Sequence, residues 1–148
     1  MLLKDLVLGI DHIGVCVGTM DRAAGLWTEL LGVPIAHREC VDAQLTEAAF
    51  VDFAPGAATV ELVAPMAGNA GLEKFLARRG EGLHHIAYTV EGIEARIAEL
   101  KQSGLRMIDE VPRPGAHHTR IAFVHPKSSL GVLTELCEPV GDHAAGRN

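Results

Sequence analysis

Four residues in this 148-residue chain have the types and the spacing to do chemistry together. His12 lies in the run Ile10-Asp11-His12-Ile13-Gly14, and His85 in the similar run Leu83-His84-His85-Ile86-Ala87. Glu61 lies in Val60-Glu61-Leu62-Val63-Ala64-Pro65, and Glu135 in Thr134-Glu135-Leu136-Cys137-Glu138-Pro139. The histidines are 73 positions apart, from 12 to 85, and the glutamates 74, from 61 to 135, so one unit is used twice. Imidazole nitrogens suit first-row divalent ions, and two carboxylates cancel the charge of a 2+ ion. Taken singly, each histidine reads as a hydrogen-bonded core residue and each glutamate as a solvent-facing one. Taken as a matched quartet inside apolar strands they read as metal ligands, because a carboxylate in Thr59-Val60-Glu61-Leu62-Val63 is costly to bury without a partner.

The elements that must position these residues follow the same doubling. Residues 6–17 read as a strand covered on both faces. Ala23, Trp27 and Leu30, with Leu26 and Leu31, fall at helical spacing; Thr19 or Asp21 can cap that helix, and Gly32 and Pro34 end it. Residues 35–41, 45–53 and 58–63 are three short strand candidates separated by turn signals. A connector, 66–82, holds a short helix with Leu72, Phe75 and Leu76 on one side. The second copy repeats the order: a strand at 83–90, a helix marked by Ile93, Ile97 and Leu100, and strands at 105–109, 119–124 and 131–136. Pro112-Arg113-Pro114-Gly115 and His125-Pro126-Lys127-Ser128 read as loops, and 140–148 as a fraying tail. This is one α+β domain of two βαβββ modules, about 6–65 and 83–139, since autonomous domains of half this length would each be marginal.

Composition narrows the function classes. Hydrophobic residues make up 48% and charged residues 22%, the balance of a globular protein, and the formal net charge is −6. Without a basic block, nucleic acid is not an expected partner. No apolar run approaches the length of a membrane span, and the first nine residues are too short for a signal peptide, so cytoplasmic residence is expected. Cys16, Cys40 and Cys137 are odd in number and lack CxxC spacing; they read as buried apolar residues of a reducing compartment. Among lesser candidates, His84 reads as a strand residue, Asp11 as a partner of a ligand, His117 and His118 as loop residues, and Glu47 as a strand residue on either face. No glycine pattern for a dinucleotide or a P-loop is present.

With these residues in view, the chain resembles the vicinal oxygen chelate superfamily, in which a doubled βαβββ unit supplies a histidine and a glutamate from each copy. Arg78-Arg79-Gly80-Glu81-Gly82-Leu83-His84-His85-Ile86-Ala87, Pro112-Arg113-Pro114-Gly115-Ala116-His117 and His125-Pro126-Lys127-Ser128 are similar to the methylmalonyl-CoA epimerases of that superfamily. The resemblance implies a pseudo-two-fold pair of modules forming a shared, cupped, mixed-sheet cleft. It implies His12, Glu61, His85 and Glu135 as ligands of a divalent ion, commonly Co2+, with Zn2+, Ni2+, Mn2+ or Mg2+ able to serve. It implies a homodimer, an acyl-CoA thioester substrate, and inversion at the α-carbon through a metal-stabilised enolate. Glu135 is the first candidate for one acid/base, with His117 or Glu47 for the other, because the family's glutamate position on the third strand aligns with Ala48 here. Gln44-Leu45-Thr46, His118 and Ser129-Leu130 depart from the usual pattern, where relatives carry glycine or smaller residues. A glyoxalase I-type lactoylglutathione lyase and a non-catalytic small-ligand binder of the same fold are the alternatives. Extradiol dioxygenation is disfavoured, since a fourth protein ligand would fill a position that oxygen needs.

Overall fold

The computed structural model describes residues 7–141. The elements, in chain order, are β1 (Val7–Cys16), α1 (Met20–Leu31), β2 (Ile35–Val41), β3 (Thr46–Val51), β4 (Thr59–Pro65), α2 (Ala70–Arg79), β5 (Gly82–Val90), α3 (Ile93–Gln102), β6 (Arg113–Gly115), β7 (Thr119–Val124) and β8 (Thr134–Pro139). The architecture is α+β, with two βαβββ modules. The chain divides into two compact units: residues 12–84 form one, and residues 7–11 with 85–141 belong to the other. Among the described residues, no helix is long and apolar enough to cross a membrane.

In residues 12–84 the strand order is β2-β3-β4-β1. β4 runs parallel to β1, and β2, β3 and β4 are successively antiparallel. Alternation along the strands separates the two faces of this sheet. Ala49, Leu62 and Ala64 pack with Val17, Met20 and Ala23 under α1. The other face carries Cys16 and Val63, which pack with Leu72 of α2. α1 ends as its glycine predicts: Gly32 adopts φ 66°, and its N–H donates to the Thr28 carbonyl. Its N-terminus differs from expectation, since Thr19 occupies the cap position without a side-chain hydrogen bond. Leu26 and Leu30 are exposed; only part of the expected stripe is covered.

α2 starts at a better-made cap. The Asn69 carboxamide oxygen accepts from the Leu72 N–H at 3.0 Å, while its nitrogen donates to the carbonyls of Gln44 and Leu45. One side chain therefore caps the helix and ties it to the turn that enters β3. Glu81, just past α2, accepts from the Gly18 N–H at 2.8 Å and from Arg22. Those two donors hold its carboxyl below the usual range.

In the other unit the order is β5-β8-β7-β6, with β5 parallel to β8 and the remaining pairs antiparallel. Val90, Ile93, Ile97, Leu100, Ala122 and Leu136 form its helix-covered core. Three expectations are corrected here and in β1. Residues 105–109 are not a strand: the segment makes one isolated bridge, Met107 to Val124. The Asp109 carboxylate accepts the Phe123 N–H at 2.8 Å, the donor that a continuing strand would have used, and so ends the ladder. The short edge strand is instead Arg113–Gly115, within the stretch read as a loop; its Pro114 is tolerated because an edge strand need not donate on its outer side. β1 is not covered on both faces throughout, since Leu8 and Ile10 are exposed and burial sets in only from His12 onward. Cys16 and Cys137 are buried as expected, whereas Cys40 is exposed. Burial, with Glu81 nearby, pushes the Cys16 thiol up to about 11.

Candidate metal-binding and active site

Unit 12–84 places His12 on β1 and Glu61 on β4. Parallel pairing aligns His12 with Thr59 and Gly14 with Glu61, which puts both side chains on the face away from α1. His12 Nε2 lies 2.7 Å from Glu61 Oε2, a hydrogen-bond distance, and the two residues are only 4% and 7% exposed. Phe50, the cross-strand partner of Glu61, sets its ring edge-on to the His12 imidazole at 6.2 Å. Gly14, which has no side chain, is the residue opposite Glu61.

The second unit builds the same trio. His85 on β5 and Glu135 on β8 are 5% and 4% exposed, with Nε2 and Oε2 3.4 Å apart. Ala87, small like Gly14, pairs with Glu135. Phe123 is the cross-strand partner of Glu135 and meets the His85 ring edge-on at 5.6 Å. Sequence reasoning missed these two phenylalanines, although positions 50 and 123 carry the same 73-residue offset as the histidines.

The chemistry of the donors fits a divalent cation. Two ligand atoms about 2.1 Å from one ion, subtending 90–110°, are about 3.0–3.4 Å apart; the His85–Glu135 pair at 3.4 Å has that spacing, while the His12–Glu61 pair at 2.7 Å is in hydrogen-bond contact and would open by a few tenths of an ångström around an ion. A carboxylate taken out of water costs several kcal/mol unless its charge is met, and in each unit it is buried against an imidazole and an aromatic edge.

The remaining candidates separate cleanly. Glu47 pairs with Ala64 and so faces α1, opposite to Glu61. There it accepts from Arg38 at 2.7 Å, and Arg38 also reaches Asp21 of α1 at 2.7 Å. Its place among the acid/base candidates is therefore withdrawn: the strand register points its carboxylate at the wrong side of the sheet. Ala48, by contrast, lies on the Glu61 face, opposite Val63. Asp11 accepts from the Thr89 hydroxyl at 2.9 Å. His84 lies edge-on to Phe75 at 4.9 Å. His117 and His118 form the turn into β7 with φ of 59° and 55°, the first half-buried and the second exposed.

Those two, with Leu45 and Leu130, are the non-glycine residues at positive φ among the described residues. Three of the four, Leu45, His118 and Leu130, fall in the stretches singled out in the sequence as departures from the resembled family's pattern. The backbone keeps the left-handed turn and carries a side chain in it, at about 1–2 kcal/mol each.

Comparison with known proteins places the whole chain. Residues 11–123 match the model of the Glyoxalase/Bleomycin resistance protein/Dioxygenase superfamily. A Bacillus subtilis (strain 168) protein of uncharacterised function, YqjC, is 37% identical over 133 residues, 90% of this chain and 94% of its own. The crystal structure of a methylmalonyl-CoA epimerase from Mycobacterium tuberculosis superposes with a TM-score of 0.88 at 36% identity, covering 98% of this chain and 97% of that one. A variant Streptomyces coelicolor methylmalonyl-CoA epimerase in complex with 2-nitronate-propionyl-CoA gives 0.86 at 32%, covering 91% and 99%. With the doubled module, its two buried His–Glu pairs and these likenesses together, the chain belongs to the glyoxalase/bleomycin resistance protein/dioxygenase superfamily.

Proposed function

We propose that the protein is a metal-dependent epimerase of methylmalonyl-CoA, with His12, Glu61, His85 and Glu135 holding one divalent ion, cobalt being the first to test. The observation that carries this reading is the doubled pair: each unit buries one imidazole and one carboxylate at a separation suited to adjacent ligands of a single ion. With neutral imidazoles the two glutamates offset the 2+ charge. The acyl-CoA part of the reading is supported by the epimerase relatives and by the thioester ligand that one of them binds.

His12, Glu61, His85 and Glu135 would hold the ion, which would supply positive charge to offset the negative charge that develops when an α-proton leaves. The chain supplies the rest. Phe50 and Phe123 set their rings edge-on to the two histidines and so fix the imidazole planes. Glu135 is the acid/base for one face of the α-carbon, and a second group must serve the opposite face, because inversion through one group would return the proton where it left.

The test is to incubate metal-loaded protein with a single epimer of methylmalonyl-CoA in D2O and follow the α-proton by NMR. Epimerisation with deuterium incorporation is expected, lost on chelation and restored by cobalt. Absence of exchange with metal present contradicts the reading, and turnover of the glutathione–methylglyoxal hemithioacetal instead would reassign the protein as a lyase.

A further inference from the structure

The sheet face that carries Glu135 bears a charge besides the two metal-ligand candidates of its unit. Register sets the members of that face: Glu135 pairs with Phe123, Cys137 with Ile121, and Ile121 in turn with Arg113 of the edge strand β6. Paired residues share a face, so the Arg113 side chain lies on the side of His85 and Glu135, whereas Arg120 of β7 lies on the side of α3. Among the described strand residues of this unit on the Glu135 face, Arg113 is the one fixed positive charge.

Its guanidinium is held in place. Arg113 Nε lies 3.1 Å from Asp109 Oδ1, and the other Asp109 oxygen accepts the Phe123 N–H at 2.8 Å, so one carboxylate fixes both the guanidinium and the backbone beneath it. The guanidinium carbon sits over the Phe123 ring, 5.8 Å from its centre, and the His85 ring meets the same ring edge-on at 5.6 Å. The Asp109 side chain is 15% exposed and that of Arg113 37%, so the pair is anchored inside and open at its tip. Among the described residues, neither η nitrogen of Arg113 makes a hydrogen bond. Parallel N–H donors on a planar fork match the two oxygens of a carboxylate.

From this arrangement we infer that Arg113 recognises the free carboxylate of a malonyl-type acyl group; the inference rests on the acyl-CoA reading above and deepens it. Such a substrate carries two kinds of anionic group, the acyl carboxylate and the phosphates of coenzyme A. The carboxylate is bonded directly to the α-carbon, whereas the phosphates lie a whole pantetheine chain away from it. A guanidinium that shares one aromatic ring with the metal-ligand candidate His85 stands near the reacting end, which favours the carboxylate. Arg113 binds and moves no proton. Its consequence is selection: an acyl group without a carboxylate gives the open side of the fork nothing to hold.

The experiment titrates cobalt-loaded wild type, Arg113→Met and Arg113→Lys with malonyl-CoA and with acetyl-CoA by calorimetry, and assays the wild type for epimerisation of methylmalonyl-CoA. The two thioesters differ only in the carboxylate, so the ratio of their affinities reads its recognition. The wild type is expected to prefer malonyl-CoA, and Arg113→Met to weaken malonyl-CoA by about 10–100-fold with acetyl-CoA binding little changed. Arg113→Lys keeps the charge without the fork and should recover part of the preference. Where Arg113→Met fails to fold, Arg113→Lys decides by the same ratio. A wild type without the preference, or a preference unchanged in the variants, overturns the assignment while epimerisation by the wild type leaves the epimerase reading standing. Equal loss of both thioesters assigns the guanidinium to a coenzyme phosphate or to packing and overturns it as well. A wild type that binds neither thioester defeats the acyl-CoA reading, and the assignment falls with it.

Discussion

In residues 12–84 the helix-bearing face of the sheet is braced by Arg38 on β2, which reaches Glu47 on β3 and Asp21 in the first turn of α1. In the other unit the brace starts from Arg120 on β7 and reaches Glu94 in the first turn of α3 and Glu138 on β8, the latter at 2.5 Å. The acids at the helix ends, positions 21 and 94, keep the repeat offset of 73; the arginines do not. Arg120 stands at the repeat position of Glu47, so the charge at that site is reversed and the guanidinium comes from a different strand. The buried His–Glu–Phe trio, in contrast, is matched residue for residue. The buried trio repeats in residue type and in pairing, while the brace needs only opposite charges within reach. The edge strands differ most: β2 runs seven residues and carries His37 and Glu39, whereas β6 runs three.

If the trios are equivalent, Phe50→Ala and Phe123→Ala should each destabilise by about 3–5 kcal/mol, within about 1 kcal/mol of each other. Denaturant unfolding measures both, and a cost confined to one would break the equivalence. The largest effect at the dissimilar edges belongs to Gly115. A methyl group there would lie 2.5 Å from Thr119 Oγ1 and 2.6 Å from Ile121 Cγ2, so Gly115→Ala should cost about 1–3 kcal/mol and loosen β6 from β7. Amide exchange across the Arg113–Ile121 pair should report that loosening.

A smaller effect of opposite sign is expected at the left-handed turns. Leu130 is fully exposed at φ 57°, so Leu130→Gly relieves backbone strain without losing packing and should raise stability by up to about 1 kcal/mol. Leu45 and His118 occupy matching places before β3 and β7, but Leu45 is only 40% exposed and its side chain lies near Gly68. Leu45→Gly should therefore gain less than Leu130→Gly, and thermal unfolding of the two variants ranks them.

The smallest effect is electrostatic. Hydrogen bonds from Gly18 and Arg22 lower the Glu81 carboxyl, and a hydrogen bond from Arg120 lowers that of Glu94. Each folded-state value lies below the ordinary 4.5, so the unfolded chain binds more protons in that range. The contribution is present above about pH 4.5 and is lost as pH falls through the folded value. Both groups are largely in water, so screening keeps it small. Glu81→Gln and Glu94→Gln should lower Tm slightly at pH 7, and the difference from wild type should shrink as the pH falls below 4.5.

Much of this was legible in the sequence because the repeat is chemical as well as structural. The burial of the doubled His and Glu phrases, the glycine that ends α1, the apolar side of α2 and the bounds of β2 follow from periodicity and turn residues. The exceptions have physical causes. Residues 105–109 have a strand's composition, but Asp109 spends its carboxylate on the donor a strand would need. Whether Glu47 faces the histidines depends on a register that a one-residue slip would invert, and only the pairing with β4 decides it.

The most direct test of the proposed four-ligand metal site is a calorimetric titration of metal-free protein with cobalt, for the wild type, His12→Ala and His85→Ala. One ion per chain is predicted, with the tight site abolished by either substitution alone. Two ions per chain, or one that survives loss of the histidine in either half, would contradict a single site built from both.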